Sequence, residues 1–186
     1  MNDKTQLDVT QKGSANNKVL KLIMLSMFVA IGVVISPILR VEGFAPTAHL
    51  VNVVCAVFMG PWYALANGIV TAIIRMTLMG IPPLALTGQI FGAVLSGCLY
   101  RASKGKLICA TVGEIIGTGI IGSLVSYPVM SIIMGRGELA LFFYTPSFLI
   151  ASTIGGSIAY IILKSLQKTG MLSKIQIRLG GKTYEK

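Results

Sequence analysis

Charge is what this chain has least of. Only 12% of its 186 residues are Asp, Glu, Lys or Arg, about half the roughly 25% of an ordinary soluble domain. With mean hydropathy at +0.78, that scarcity excludes a soluble enzyme and a disordered protein. Cysteine is also sparse. Cys55, Cys98 and Cys109 are odd in number and form no Cys-x-x-Cys pair, which excludes a disulfide-stapled module. Each sits in or beside an apolar segment, where Cys acts as a small hydrophobe. One His and six mostly loop-borne acids offer no metal-ligand cluster and no Ser–His–Asp arrangement. The only phosphate-loop lookalike, Gly181-Lys182-Thr183, fails because position 176 is Gln where the motif needs Gly. The chain therefore reads as neither an enzyme nor an ATPase, with no cofactor and no metal.

What is present is apolar sequence in long runs. Sixteen Lys and Arg give a net charge of +10, but they gather at the ends of those runs, which argues against a nucleic-acid partner. The pattern predicts an all-α integral membrane protein, a multi-pass cell-membrane bundle of about six helices. Residues 1–18 form a polar N-terminal tail, 19–166 the membrane domain and 167–186 a basic C-terminal tail. Leu22–Leu39 is too long for a signal-peptide core and lacks an Ala-x-Ala site, so it stays as helix 1, leaving the bilayer at Arg40–Gly43.

Gly43–Ile74 carries no Asp, Glu, Lys or Arg. As one helix it would reach about 48 Å, beyond a roughly 30 Å hydrocarbon core. Gly60-Pro61 splits it, because Pro favours the first turn of a new helix. Helix 2 is expected over Thr47–Met59, spanning or re-entrant, and helix 3 over Trp62–Leu78. After Gly80-Ile81-Pro82-Pro83, helix 4 runs over Leu84–Tyr100, helix 5 over Leu107–Met134 with a bend at Pro128, and helix 6 over Leu141–Leu163.

Six spans return both termini to one side. Thirteen of the basic residues fall in the N-terminal tail and helix 1 entry (four), the Arg101–Lys106 loop (three) and the chain from Lys164 onward (six); only Arg40, Arg75 and Arg136 fall opposite. The bias of Lys and Arg to the cytoplasm predicts cytoplasmic termini. Small residues recur four apart at Gly88, Gly92 and Ser96, at Gly113 and Gly117, at Gly122 and Ser126, and at Ala151, Gly155 and Ala159. Such stripes let helices approach closely in lipid. Ser26 and Ala30 repeat the spacing on helix 1, as an internal seam or as a face for a partner membrane protein.

Polar groups inside hydrocarbon are costly, so each is a candidate site residue. His49 and Asn52 are three apart and share a helical face. Together with Arg75, Thr87, Gln89, Tyr127 and Tyr144 they are expected at one level near the outer ends of five helices. A bundle with such a ring fits a small polar-aromatic solute, with Phe44, Phe91, Phe143 and Phe148 available for stacking. Plainer readings stand beside this one. Tyr144 belongs to an aromatic belt, Arg75 snorkels or pairs with Glu42 or Glu138, His49 and Asn52 cap helix 2, and Gln89 bridges helices. Asn67 and Glu114 are expected in the inner half, bonding one another or backbone carbonyls, at a depth that separates Glu114 from His49.

The block Pro46-Thr47-Ala48-His49-Leu50-Val51-Asn52, then Gly60-Pro61-Trp62-Tyr63-Ala64, Arg75, Gly88, Gly92-Ala93 and Gly97-Cys98-Leu99-Tyr100-Arg101, resembles the thiazole-specific S components of energy-coupling factor vitamin transporters. The resemblance implies capture of hydroxyethylthiazole, a thiamine precursor, at the outer face. It also implies partners: a transmembrane coupling protein and two cytoplasmic ATPase subunits. On that carry-over Ser26 and Ala30 form the partner interface, with Ser26 replacing the more usual Ala. The alternatives are an S component for another vitamin, a self-sufficient secondary carrier, for which the internal repeats usual in such carriers are lacking, and an intramembrane enzyme using His49 and Glu114.

Overall fold

The computed structural model describes residues 3–37 and 44–184, with side chains from residue 17 onward. The expected bilayer exit at Arg40–Gly43, and Glu42 with it, lies outside the described residues. Helices make up the architecture: α1 (Asp3–Ile35), α2 (Pro46–Met59), α3 (Pro61–Met79), α4 (Leu84–Ala102), α5 (Leu107–Ile116), a π-helical turn (Gly117–Gly122), α6 (Ser123–Met134), α7 (Thr145–Lys168) and α8 (Met171–Arg178). Asn17–Ile35, Pro61–Met79, Leu107–Met134 and Thr145–Lys168 are each long and apolar enough to cross a membrane. Helix α4 is 19 residues long but diluted by Gly, Gln and Ser, and α2 is apolar yet only 14 residues long. This is an all-α membrane protein.

The breaks follow from local chemistry. Gly60 adopts φ +90° between α2 and α3, a region costly for any residue with a Cβ. A Cβ there would also collide with the Arg101 guanidinium. Pro61 then opens α3, a place where its missing N–H costs nothing. Helix α7 starts at Thr145 rather than Leu141 because Pro146 occupies its first turn, leaving Leu141–Tyr144 in turns. Helices α5 and α6 form one rod through the π-helical turn, which lies between Glu114 and Ser126. Turns of this kind insert a residue into a helix and are frequent at functional positions.

The small-residue stripes are interhelical seams. Gly113 and Gly117 lie against the α4 backbone at Leu95 and Phe91, and Gly155 lies against Pro46 and His49 of α2. The buried stripe of α1 is Phe28 and Gly32, continued by Ser36 just past its end, and Gly32 meets Thr71 of α3. Ser26 and Ala30 are exposed on the other face, so they are no internal seam. The periphery is apolar, with Ile132, Leu78, Trp62 and Val34 each at least 70% exposed, as lipid requires.

Two apolar clusters hold the bundle. The larger, at the Gly60 end, gathers Val53, Cys55, Ala56, Ala64, Ala93, Ala110, Ala159 and Leu163 with Leu172 and Leu179 of the C-terminal segment. The smaller, at the Gly80 end, is Leu84, Met130, Tyr144 and Phe148. The basic C-terminal region is thus built into the fold: Gln176 is buried and donates to Val57 O at 2.8 Å and to Tyr100 Oη at 3.1 Å. The buried polar residues lie chiefly on α2, α3, α4, α5 and the π-helical turn.

Candidate functional site

Helix α2 sets the depth of the site. Fourteen residues rise about 21 Å, well short of a roughly 30 Å hydrocarbon core. With its last residue at the Gly60 turn, its first two turns lie in the middle of the bundle. His49 and Asn52 project from those turns, 5% and 1% exposed. Glu114 is seven residues into the rod that begins at Leu107 beside the same end, so it reaches the same level. His49 Nδ1 lies 2.9 Å from Glu114 Oε1. The expected separation of these two residues is therefore wrong, because it counted depth as if α2 crossed the full membrane.

Glu114 is the hub. Its side chain is fully buried, and Asn52 Nδ2 donates to its Oε1 at 3.3 Å and to the Gln89 carbonyl at 3.3 Å. Thr118, one turn on, places its hydroxyl 3.1 Å from Oε1 and 2.8 Å from the Gly88 carbonyl. A hydroxyl has one proton to give, and the shorter contact is to Gly88. Helix α4 approaches this group only because position 92 is glycine. A Cβ there would collide with Thr118 Oγ1 and lie 2.6 Å from Glu114 Oε1.

A second polar group adjoins the first through Gln89, which is 3% exposed. Its amide nitrogen donates to the Gly68 carbonyl at 2.9 Å and its oxygen accepts from Arg75 Nη1 at 2.6 Å, the orientation that satisfies both ends. Arg75 is itself 2% exposed. It ties α3 to α4 from within the bundle, and this burial replaces the snorkelling reading. Asn67 is buried on the same helix with Oδ1 lacking a partner, so the expected Asn67–Glu114 bond is not formed among the described residues.

The remaining candidates lie nearer the Gly80 end. Thr87 Oγ1 meets Ser126 Oγ at 2.6 Å, joining α4 to α6. Tyr144, 2% exposed, stacks obliquely on Phe148 at 6.4 Å between centroids, and its hydroxyl has no partner. Tyr127 is half-buried on α6 and joins neither group among the described hydrogen bonds. The expected single ring is therefore two tiers. Their meeting point is Gly88: its carbonyl takes the Thr118 proton, and the Phe148 ring packs 3.2 Å from where its Cβ would stand. Of the expected stacking residues, Phe148 alone is buried; Phe44 and Phe91 are half-buried and Phe143 is exposed.

Glu114, which the sequence placed in the inner half without a role, and Thr118, which it did not single out, join the candidate site. The signal was available: Glu114 is the one acid inside the apolar run from Leu107 to Met134, with a hydroxyl four residues on, on the same helical face. In sum, the candidate site brings together an imidazole, two amides, a guanidinium and a carboxyl, all buried. No curated protein and no solved structure matches the chain. Residues 22–169, from the apolar part of α1 to the end of α7, match the family profile described as thiamine-precursor transporter protein, and the chain belongs to that family, ThiW.

Proposed function

We propose that this transporter is the substrate-capturing S component of an energy-coupling factor importer, and that its solute is hydroxyethylthiazole, captured from the outer face of the cell membrane. The observation that carries the reading is the convergence of His49, Asn52, Gln89 and Arg75 on one buried layer with an aromatic wall, Tyr144 and Phe148, above it. Hydroxyethylthiazole is small, flat and uncharged near neutral pH. It asks for a ring-stacking surface and a few hydrogen bonds, and for no strong counter-charge.

In this reading His49, Asn52 and Gln89 hydrogen-bond the ring nitrogen and hydroxyl, and Arg75 orders Gln89. Thr87, Tyr127 and Tyr144 line the approach. Glu114 holds the imidazole by Nδ1, leaving Nε2 as the ring atom available to the solute. The exposed Ser26–Ala30 face of α1 receives the transmembrane coupling protein, which two ATPase subunits drive, and the termini lie in the cytoplasm.

Uptake of labelled hydroxyethylthiazole in cells expressing this chain, with and without coupling-factor partners, tests the proposal. Uptake that depends on the partners is the expected result. Uptake without them makes the chain an autonomous carrier. Conversion of the thiazole by the purified chain would mark an enzyme instead. A second reading, a cationic vitamin such as thiamine, gains from the acid now found within the site; competition by excess thiamine at the same concentration as unlabelled thiazole would favour it.

A further inference from the structure

Glu114 has two carboxyl oxygens in opposite circumstances. Oε1 lies against two nitrogens, the Nδ1 of His49 at 2.9 Å and the Nδ2 of Asn52 at 3.3 Å. Oε2 is equally buried and has no partner. Buried polar atoms are nearly always paired, and an orphan of this kind demands an explanation. Glycine at position 92 keeps α4 clear of the carboxyl, since a Cβ there would lie 2.6 Å from Oε1, but it gives Oε2 no partner.

The Nδ2 of Asn52 can only donate, so Oε1 is an acceptor; with the proton of the His49 pair assigned to Nδ1, Oε2 is the acceptor left over. We propose that Glu114 is a specificity-determining residue: Oε2 accepts the proton of a hydroxyl group on the solute, so that the site selects hydroxyl-bearing heterocycles over analogues that lack the donor. The inference rests on the proposed function and adds to it the atom that reads the solute's side arm. Sites built to pair a hydroxyl reject the analogue lacking it, because their own buried group is then stranded. The two oxygens divide the work. Oε1 orients the imidazole, and Oε2 inspects the solute.

The test is a titration of the purified full chain with three probes: hydroxyethylthiazole, its methyl ether, and the deoxy analogue 5-ethyl-4-methylthiazole. Wild type is expected to bind the alcohol at least about tenfold more tightly than either analogue. Glu114→Gln places an amide donor where Oε2 was, so the preference for alcohol over ether is expected to collapse by about tenfold or to invert. The steric effect of the added methyl is common to both proteins and cancels in that ratio. Thr77→Val, on the exposed side of α3 with its hydroxyl bonded only within that helix, leaves the site untouched and is expected to keep the wild-type ratio. Should Glu114→Gln not fold, the wild-type comparison decides alone. Wild type binding all three probes within about threefold overturns the inference, as does Glu114→Gln keeping the wild-type ratio or Thr77→Val losing it. Wild type binding none of the three overturns the proposed function itself.

Discussion

Nδ1 of His49 lies 2.9 Å from Oε1 of Glu114, closing a separation of 65 residues in the chain. Both side chains are buried, the carboxyl completely. This contact joins the only His to the only acid of the long apolar rod, and it fixes the register of α2 against α5.

Breaking that pair from one side is expected to be worse than removing it whole. His49→Ala strands a buried carboxyl and should cost about 3 kcal/mol of stability, as for other buried pairs. The double variant His49→Ala with Glu114→Ala should cost less than the sum of the singles by about 1 kcal/mol or more. Denaturation of the three variants in detergent measures the difference; simple additivity would mean the contact carries no energy.

Gly92→Ala should destabilise the chain by about 1–3 kcal/mol, the range for overpacking a tight interior. Its Cβ has no room beside Thr118 and Glu114. Gly137→Ala is the control, because the nearest atom to its Cβ is Ser131 Oγ at 3.5 Å. Equal unfolding midpoints for the two variants would contradict the close approach of α4.

His49→Ala and Asn52→Ala should each lower hydroxyethylthiazole affinity by up to about a hundredfold, the equivalent of about 1–3 kcal/mol for a lost buried partner. Isothermal titration reads this directly. Wild-type affinity in both would remove these residues from the solute site.

Tyr144→Phe separates a packing role from a binding role. The hydroxyl is buried and unpartnered, so its removal should leave the unfolding midpoint unchanged or raised. If the hydroxyl serves the solute, affinity should nonetheless fall about tenfold. Unchanged affinity would assign Tyr144 to packing against Phe148 alone.

Much of this arrangement was legible in the residues. Gly60-Pro61 and Gly80-Ile81-Pro82-Pro83 placed the ends of α2, α3 and α4 to within two residues, because those breaks are local stereochemistry. The small-residue stripes announced their seams for a similar reason: only Gly allows contacts as close as those of Gly113 and Gly155. Depth was harder. His49 and Glu114 were assigned to opposite levels by counting along helices taken as full spans. The shortness of α2, visible in its 14 residues, was the missing term. Burial of Arg75 was hidden as well, since a cation near a helix end snorkels by default and its partner Gln89 is on another helix. Nor did the basic composition beyond Lys164 announce that Leu172 and Leu179 would join the core.

The grip of Gln176 on α2 makes α8 a lever. Gln176 holds the carbonyl of Val57, and His49 stands eight residues, about 12 Å, farther along the same stiff rod. Any change in how the C-terminal segment is seated therefore meets α2 directly at Val57, with no loop between that contact and His49.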